Sequence, residues 1–407
     1  MEPEVVVIGA GPAGCVAAAR LHRAGRSILV LEKEVFPRFV IGESLLPQSM
    51  VFLKDAGLLP YAEACGFQRK RGAIFVWKGE TATVDFSDIH GGEFTWTWQV
   101  PRAEFDHSLA RGVEAMGVPI RWRCEVIAAD LAHPEGPRLD IRDAAGRESQ
   151  LRPRIVLDAS GYGRVLPRLA GLDRPSALDP RRAVFTHFGG PRDETEEELE
   201  HIAVGIDDRQ VSTWFWGIPL SRQRFSCGLV ADPEYWSKLP SDPQAALKHY
   251  VASHPHLSRR LKNCDMLFPP RELSGYSASV KRLHGPGFAL LGNAAEFLDP
   301  IFSSGVTIAL KSATLAATCA ERELRGEKVD WGQDYAGELL PGVECFRTFV
   351  TTWYSGLLQD VIFTQRQDAE IRRRINAILA GYVWDKSNPF VLEHQRSVKA
   401  LAALCAR

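Results

Sequence analysis

The stretch from Glu4 to Glu32 limits what this chain can fold into more than any other. It opens with an apolar β-type run, Glu4-Val5-Val6-Val7-Ile8, followed at once by Gly9-Ala10-Gly11-Pro12-Ala13-Gly14. An alanine-rich helical segment then runs from Cys15 to about Ala24 and stops at Gly25. A second apolar run, Ile28-Leu29-Val30-Leu31, closes on Glu32. Strand, G-x-G-x-x-G, helix, strand and acid in that order describe a βαβ unit that binds a dinucleotide. The first glycine makes the tight turn, and the second lets backbone N–H groups approach a pyrophosphate. The third lets helix and strand pack closely, and the helix N-terminus faces the anion. Glu32 is placed to accept hydrogen bonds from ribose hydroxyls. A glycine-rich turn in an ordinary βαβ unit would leave Glu32 unexplained.

The segment after Glu32 narrows the cofactor. Lys33 to Pro47 is no second crossover helix but a loop broken by Pro37, Gly42 and Pro47. Its polar residues Arg38, Glu43 and Ser44 suit the ribityl and ring portions of a flavin. The loop resembles that of the FAD-dependent group containing aromatic hydroxylases, geranylgeranyl reductases and flavin-dependent halogenases. The string Phe36-Pro37-Arg38-Phe39-Val40-Ile41-Gly42-Glu43-Ser44 is most similar to the halogenases. The resemblance implies a mixed α/β fold with a Rossmann-type FAD-binding domain, an inserted mixed β-sheet substrate domain and a helical C-terminal region. The expected boundaries are 1–75, 99–180 and 281–328 for the FAD domain, 76–98 and 181–280 for the substrate domain, and 329–407 for the helices.

Composition excludes several alternatives. Across 407 residues the net charge is −1, so no overall field draws nucleic acid or anionic lipid. No apolar run is long enough for a membrane span, and a strand opening at Glu4 leaves no room for a signal peptide. The eight cysteines are dispersed without a C-x-x-C. That pattern fits reduced thiols in a cytoplasmic protein. His254 and His256 flank Pro255 with no adjacent carboxylate, so no metal site is expected.

Three further segments carry the resemblance. Arg69-Lys70-Arg71 reads by itself as a solvated basic turn. Yet halogenases carry a catalytic lysine just before a Gly/Ala pair that opens a strand, and Lys70-x-Gly72-Ala73-x-Phe75 matches. Trp214-Phe215-Trp216-Gly217-Ile218-Pro219 fits the W-x-W-x-I-P signature that separates halogenases from hydroxylases. As an ordinary sheet strand it would be unremarked. With both indoles on one face it forms a dry wall between flavin and organic substrate. Geranylgeranyl reductases use a similar strand to line an isoprenoid pocket. Last, Gly292-Asn293 and Asp299-Pro300-Ile301-Phe302-Ser303-Ser304-Gly305 resemble the second cofactor segment, which opens a helix at about Val306. Backbone N–H groups of Ser304 and Gly305 suit a halide or the flavin carbonyl edge. Asn293 replaces the family's usual Asp. Phe302 replaces the Glu of tryptophan-type halogenases, which implies the phenol or pyrrole branch.

The resemblance also implies the remaining roles. Ala13, Lys33, Gly42, Arg102 (in Gln99-Val100-Pro101-Arg102-x-x-Phe105-Asp106), Asp158, Asn293, Asp299, Gly305 and Val306 join the FAD contacts. Reduced FAD and O2 would turn chloride or bromide into hypohalous acid at Ser304 and Gly305. Lys70, beyond Trp214 and Trp216, would pass the electrophilic halogen to a phenolic or pyrrolic ring, free or on a carrier protein. There is no second G-x-G-x-x-G for a nicotinamide, so a separate NAD(P)H-dependent flavin reductase is expected as partner. Two alternatives stay open: a reductase or hydroxylase that uses no halide, and an FAD-binding scaffold without activity. The C-terminal stripe Phe346, Phe349, Trp353 and Leu357 is expected to be core, a lid or a carrier-docking face, with helix breaks at Pro341-Gly342 and Ser387-Asn388-Pro389.

Overall fold

In the computed structural model, which describes residues 2–364 and 368–405, the first βαβ unit forms as its pattern dictates. Strand Val5–Ile8 is buried along its whole length, between Ile28–Glu32 and Ile155–Asp158, and runs parallel to both. Burial on two faces explains why these runs are continuously apolar and do not alternate. Phe288–Leu290, Ile120–Trp122 and the short His284–Gly285 complete a six-stranded sheet. Helix Pro12–Arg23 begins with proline, whose missing N–H costs nothing in a first turn. Its buried alanines let helix Ser304–Leu324 pack closely against it.

A second sheet of eight strands carries the tryptophan motif. Strand Trp214–Ser221 sits inside it, antiparallel to Arg224–Ala231 on one side and His201–Ile206 on the other. His201–Ile206 then pairs in parallel with Gly72–Trp77. Arg182–Gly189 extends the other flank. Helices Pro243–Ser253 and Pro255–Leu261 cover the outer face with a separate apolar core around Phe215, Phe225 and Leu247. The inner face belongs to the large core shared with the nucleotide-binding sheet and the C-terminal helices. The segment from Pro119 to Arg154 reads as a β-meander, and Glu125–Asp130, Arg138–Arg142 and Glu148–Leu151 form a small separate antiparallel sheet there. Among the described residues no helix is long and apolar enough to cross a membrane.

Several local expectations need correction. The alternation of Phe94 to Val100 predicts one strand, but only Thr97–Gln99 pairs, and the Phe94 backbone is hydrogen-bonded to the Tyr382 hydroxyl. The acidic stretch 191–200 reads from its composition as a solvated loop or helix, yet the Glu194 side chain is buried against Arg260. Pro341 does not break a helix. It lies inside Glu338–Tyr354, which continues without a break from the wider-wound π-helix Trp331–Gly337, so the missing N–H falls close to where the winding changes. Phe346, Phe349 and Trp353 are fully buried, whereas Leu357 is exposed. Gly356, in the left-handed region, ends the helix and resets the register before Leu357.

Candidate functional site

A cavity of about 490 Å³ lies where the two sheets and the helix Ser304–Leu324 meet. One end is built by the first βαβ turn. Gly9 has φ +98°, and a β-carbon there would lie 2.6 Å from the Ala159 carbonyl. A β-carbon on Gly14 would lie 1.9 Å from the Gly9 carbonyl, so this glycine closes the helix onto the turn without facing the cavity. Gly11 does face it, and a β-carbon there would reach toward the Arg38 guanidinium. The Glu32 carboxylate caps the strand by accepting from the Ala10 N–H at 2.9 Å and the Glu34 N–H at 3.0 Å. Its remaining lone pairs face the cavity. Backbone approach at two glycines and an acceptor at the strand end together suit a pyrophosphate and a ribose.

The 38–44 loop forms one wall. It holds its shape because Arg102 grips it. The Arg102 guanidinium donates two parallel bonds to Asp106, at 2.8 and 3.0 Å, and two more to the carbonyls of Ile41 and Gly42. Arg102 lines the cavity, but with its charge matched by Asp106 it acts chiefly as a buckle. Glu43 and His187 are both about 1% exposed and approach to 2.8 Å, without hydrogen-bond alignment. The Arg224 Nε–H donates to His187 Nδ1 at 2.9 Å, which leaves the other ring nitrogen to carry the proton facing Glu43.

The indole strand makes the opposite wall. Trp214 and Trp216 project to the same side and both line the cavity, with Ile218 beyond them. Each indole N–H is satisfied away from it: Trp214 donates to the Tyr354 hydroxyl at 2.9 Å and Trp216 to the Ser226 hydroxyl at 3.1 Å. The rings therefore offer only apolar surface. Asn293, Pro300, Ile301, Ser303, Gly305 and Val306 close the far end. Ser303 has φ +55° and turns the chain into the helix. Ser304 is buried at the first helical position, so Ser303 and Gly305 face the cavity on either side of it. The Asp299 carboxylate accepts from the Ile301 N–H at 3.0 Å and so shapes this turn from behind, outside the lining. Burial pushes its pKa up to about 6. Asp158 likewise lies behind the wall, accepting from the Ser160 and Leu166 N–H groups.

Lys70 does not line the cavity, yet it is joined to it. The strand Gln68–Lys70 and the 43–45 segment flank the same short strand, Thr97–Gln99, which brings them together. Lys70 is 1% exposed, so the solvated-turn reading of the basic triplet fails at its middle residue. Its Nζ donates to the Ser44 hydroxyl at 2.7 Å and the Leu45 carbonyl at 2.9 Å, and lies 5.1 Å from the Phe86 ring centre. The Ser303 hydroxyl donates in turn to Ser44 at 3.0 Å. One hydrogen bond thus connects the amine to the cavity-lining Ser44, and a second links Ser44 to Ser303. Among the described residues no carboxylate pairs with the amine, and burial lowers its pKa to about 7.

Of the expected site residues, Gly9, Gly11, Ala13, Glu32, Lys33, Arg38, Gly42, Glu43, Ser44, Arg102, Trp214, Trp216, Asn293, Gly305 and Val306 line this one cavity. Gly14, Asp158, Asp299, Ser304 and Lys70 stand behind its surface. Sequence reading missed His187, Tyr162, Tyr276, Ser303 and Tyr354. Ser303 was within reach, because it lies inside the recognised D-P-x-F-S-S-G run. The others stand in segments whose local pattern is that of any strand or helix.

Comparison with known proteins agrees with this geometry. The FAD binding domain family model matches residues 2–192. A 1H-pyrrole-2-carbonyl-[peptidyl-carrier protein] brominase of Pseudoalteromonas luteoviolacea is 30% identical, covering 81% of this chain and 79% of its own. The corresponding chlorinase of Pseudomonas fluorescens is 26% identical over 98% of this chain and 93% of its own. Among solved structures, a flavoprotein/dehydrogenase from Cytophaga hutchinsonii superposes with a TM-score of 0.94 at 41% identity, covering 100% of this chain and 99% of that one.

Proposed function

This chain belongs to the flavin-dependent halogenase family, and from that premise we propose that it halogenates an electron-rich aromatic ring through Lys70. The observation that carries the reading is the buried amine that donates to the cavity-lining Ser44 and has no carboxylate partner among the described residues. FAD, in its reduced form, would supply the activation of O2 that oxidises chloride or bromide. The turn at Gly9 and Gly11 would hold the pyrophosphate and Glu32 the ribose. Arg38, Gly42, Glu43 and Ser44 would meet the ribityl chain and ring. N–H groups at Ser303 to Gly305, at a helix N-terminus, suit a halide.

Trp214 and Trp216 exclude water and keep the organic substrate off the flavin side. With a pKa near 7, Lys70 presents both forms at neutral pH. Its ammonium donates a proton to polarise an oxygen–halogen bond, and its free amine accepts halogen. The two pyrrole-carrier relatives favour a pyrrolic substrate tethered to a carrier protein. A separate flavin reductase would deliver the reduced cofactor.

The test supplies FAD, a reductase and bromide to the protein, with a panel of free and carrier-tethered phenols and pyrroles. Mass spectrometry should find brominated product. Lys70→Met should cut that product by at least about a hundredfold while FAD binding persists. A Lys70→Met protein that brominates like wild type would remove this lysine from the reaction. The relative from Cytophaga hutchinsonii, by its dehydrogenase name, and Asn293 favour a second reading, an oxidoreductase without halogenation. Turnover that is the same with and without bromide would establish that reading instead.

A further inference from the structure

The hydrogen bonds around Tyr354 run in one direction. The Trp214 N–H has no acceptor capacity, so it donates to the Tyr354 oxygen at 2.9 Å. The Tyr354 O–H is then free to donate, and it does so to Asp299 Oδ2 at 2.9 Å. The other carboxylate oxygen holds the Ile301 N–H. Tyr276 adds a longer bond, 3.4 Å, to Oδ2. The Arg181 guanidinium stacks on the Tyr354 ring 3.6 Å from its centre and offsets the carboxylate's charge.

One phenol thereby ties together three distant pieces of chain. Trp214 belongs to the substrate sheet, Asp299 to the turn before Ser303, and Tyr354 to the last residue of helix Glu338–Tyr354. The two cavity faces it ties are the indole wall and the 303–305 end. A small ion held between them needs both faces fixed: donors on one side, a dry apolar surface on the other. A 1 Å relative shift of these faces would let water in beside the ion.

We propose that Tyr354 is a positioning residue that locks the indole wall to the turn carrying Ser303 to Gly305, and that halide affinity depends on this lock. The inference rests on the halogenase reading above and assigns the C-terminal helix a part in the halide site. It is tested on the FAD-loaded full-length protein by titrating sodium bromide against sodium sulfate at constant ionic strength. The visible flavin spectrum reports binding, and KM for bromide is measured beside kcat. Tyr354→Phe keeps the ring on Arg181 and removes only the hydroxyl. It should raise the bromide half-saturation and KM about tenfold, with a smaller change in kcat.

Trp214→Phe cuts the same bond from its other end, so the double variant should fall short of the product of the two single effects. Bromide binding unchanged in Tyr354→Phe, or effects that multiply fully, would overturn the lock. If Tyr354→Phe fails to load FAD, Trp214→Phe alone carries the test. A tenfold loss then supports the lock, and wild-type affinity refutes it. A wild-type protein whose flavin spectrum ignores bromide fails the halogenase reading, and the inference falls with it.

Discussion

The two ends of the cavity are made in different ways. At the nucleotide end, the glycine turn and the acid that follows it come from one continuous segment, Gly9 to Glu32. At the other end, where we propose that the halide binds, side chains from five separate segments meet: Ser44, Lys70, Trp214, Ser303 and, behind them, Tyr354. The first end tolerates no added atom because its function is close approach. The second depends on hydrogen bonds between residues up to 259 positions apart. Damage at the first should therefore be all-or-none, and damage at the second graded.

The largest effect should come from Gly14→Val. Its β-carbon would collide with the Gly9 carbonyl, where backbone cannot yield cheaply. Loss of more than about 4 kcal/mol and a colourless purified protein are expected, read by denaturant unfolding and flavin absorbance. A yellow, stable Gly14→Val protein would break the contrast between the two ends.

The pH dependence of stability comes next. Burial lowers the Lys70 pKa from 10.5 to about 7. Between those values the unfolded chain holds the proton and the folded chain does not. The unfolded state thus binds more protons, and stability should rise with pH from 7 toward 10.5, by up to about 1.4 kcal/mol per unit. Below pH 7 both states are protonated and this slope vanishes. Subtracting the profile of Lys70→Met isolates the contribution, and an identical profile in the variant would show that the amine is not held in a dry site.

The smallest effect should be that of Ser44→Ala. It removes one of two acceptors for the Lys70 amine and leaves the Leu45 carbonyl. A loss of about 1 kcal/mol is expected. Because that acceptor favours the charged amine, the Lys70 titration should also move further down. Halogenation lost outright, with FAD retained, would show the Ser44 bridge to be more than a support.

How much was legible follows the same division. The βαβ unit, the indole strand and the Asp299 to Gly305 turn could be read because each is a short pattern whose spacing is its function. Lys70 could be read only as a position within a local match. That it is buried follows from Ser44 and the Thr97–Gln99 strand meeting it in space. His187 was legible as a strand residue, but nothing near it in sequence points to Glu43, 144 positions earlier. Pro341 shows the opposite failure: a strong local breaker sits inside one continuous helical run, just after it narrows from π-helix to α-helix.

By itself the sequence determined the nucleotide-binding turn, the acid that follows it and the alternation that puts two indoles on one face. Those are consequences of backbone geometry and strand period, which act over a few residues. Only the tertiary structure decided that Lys70 is dry, that Ser303 and not Ser304 faces the cavity, and that a tyrosine near the C-terminus holds wall and turn together. Desolvation and side-chain hydrogen bonding depend on what lies across space, and no local pattern encodes the partner.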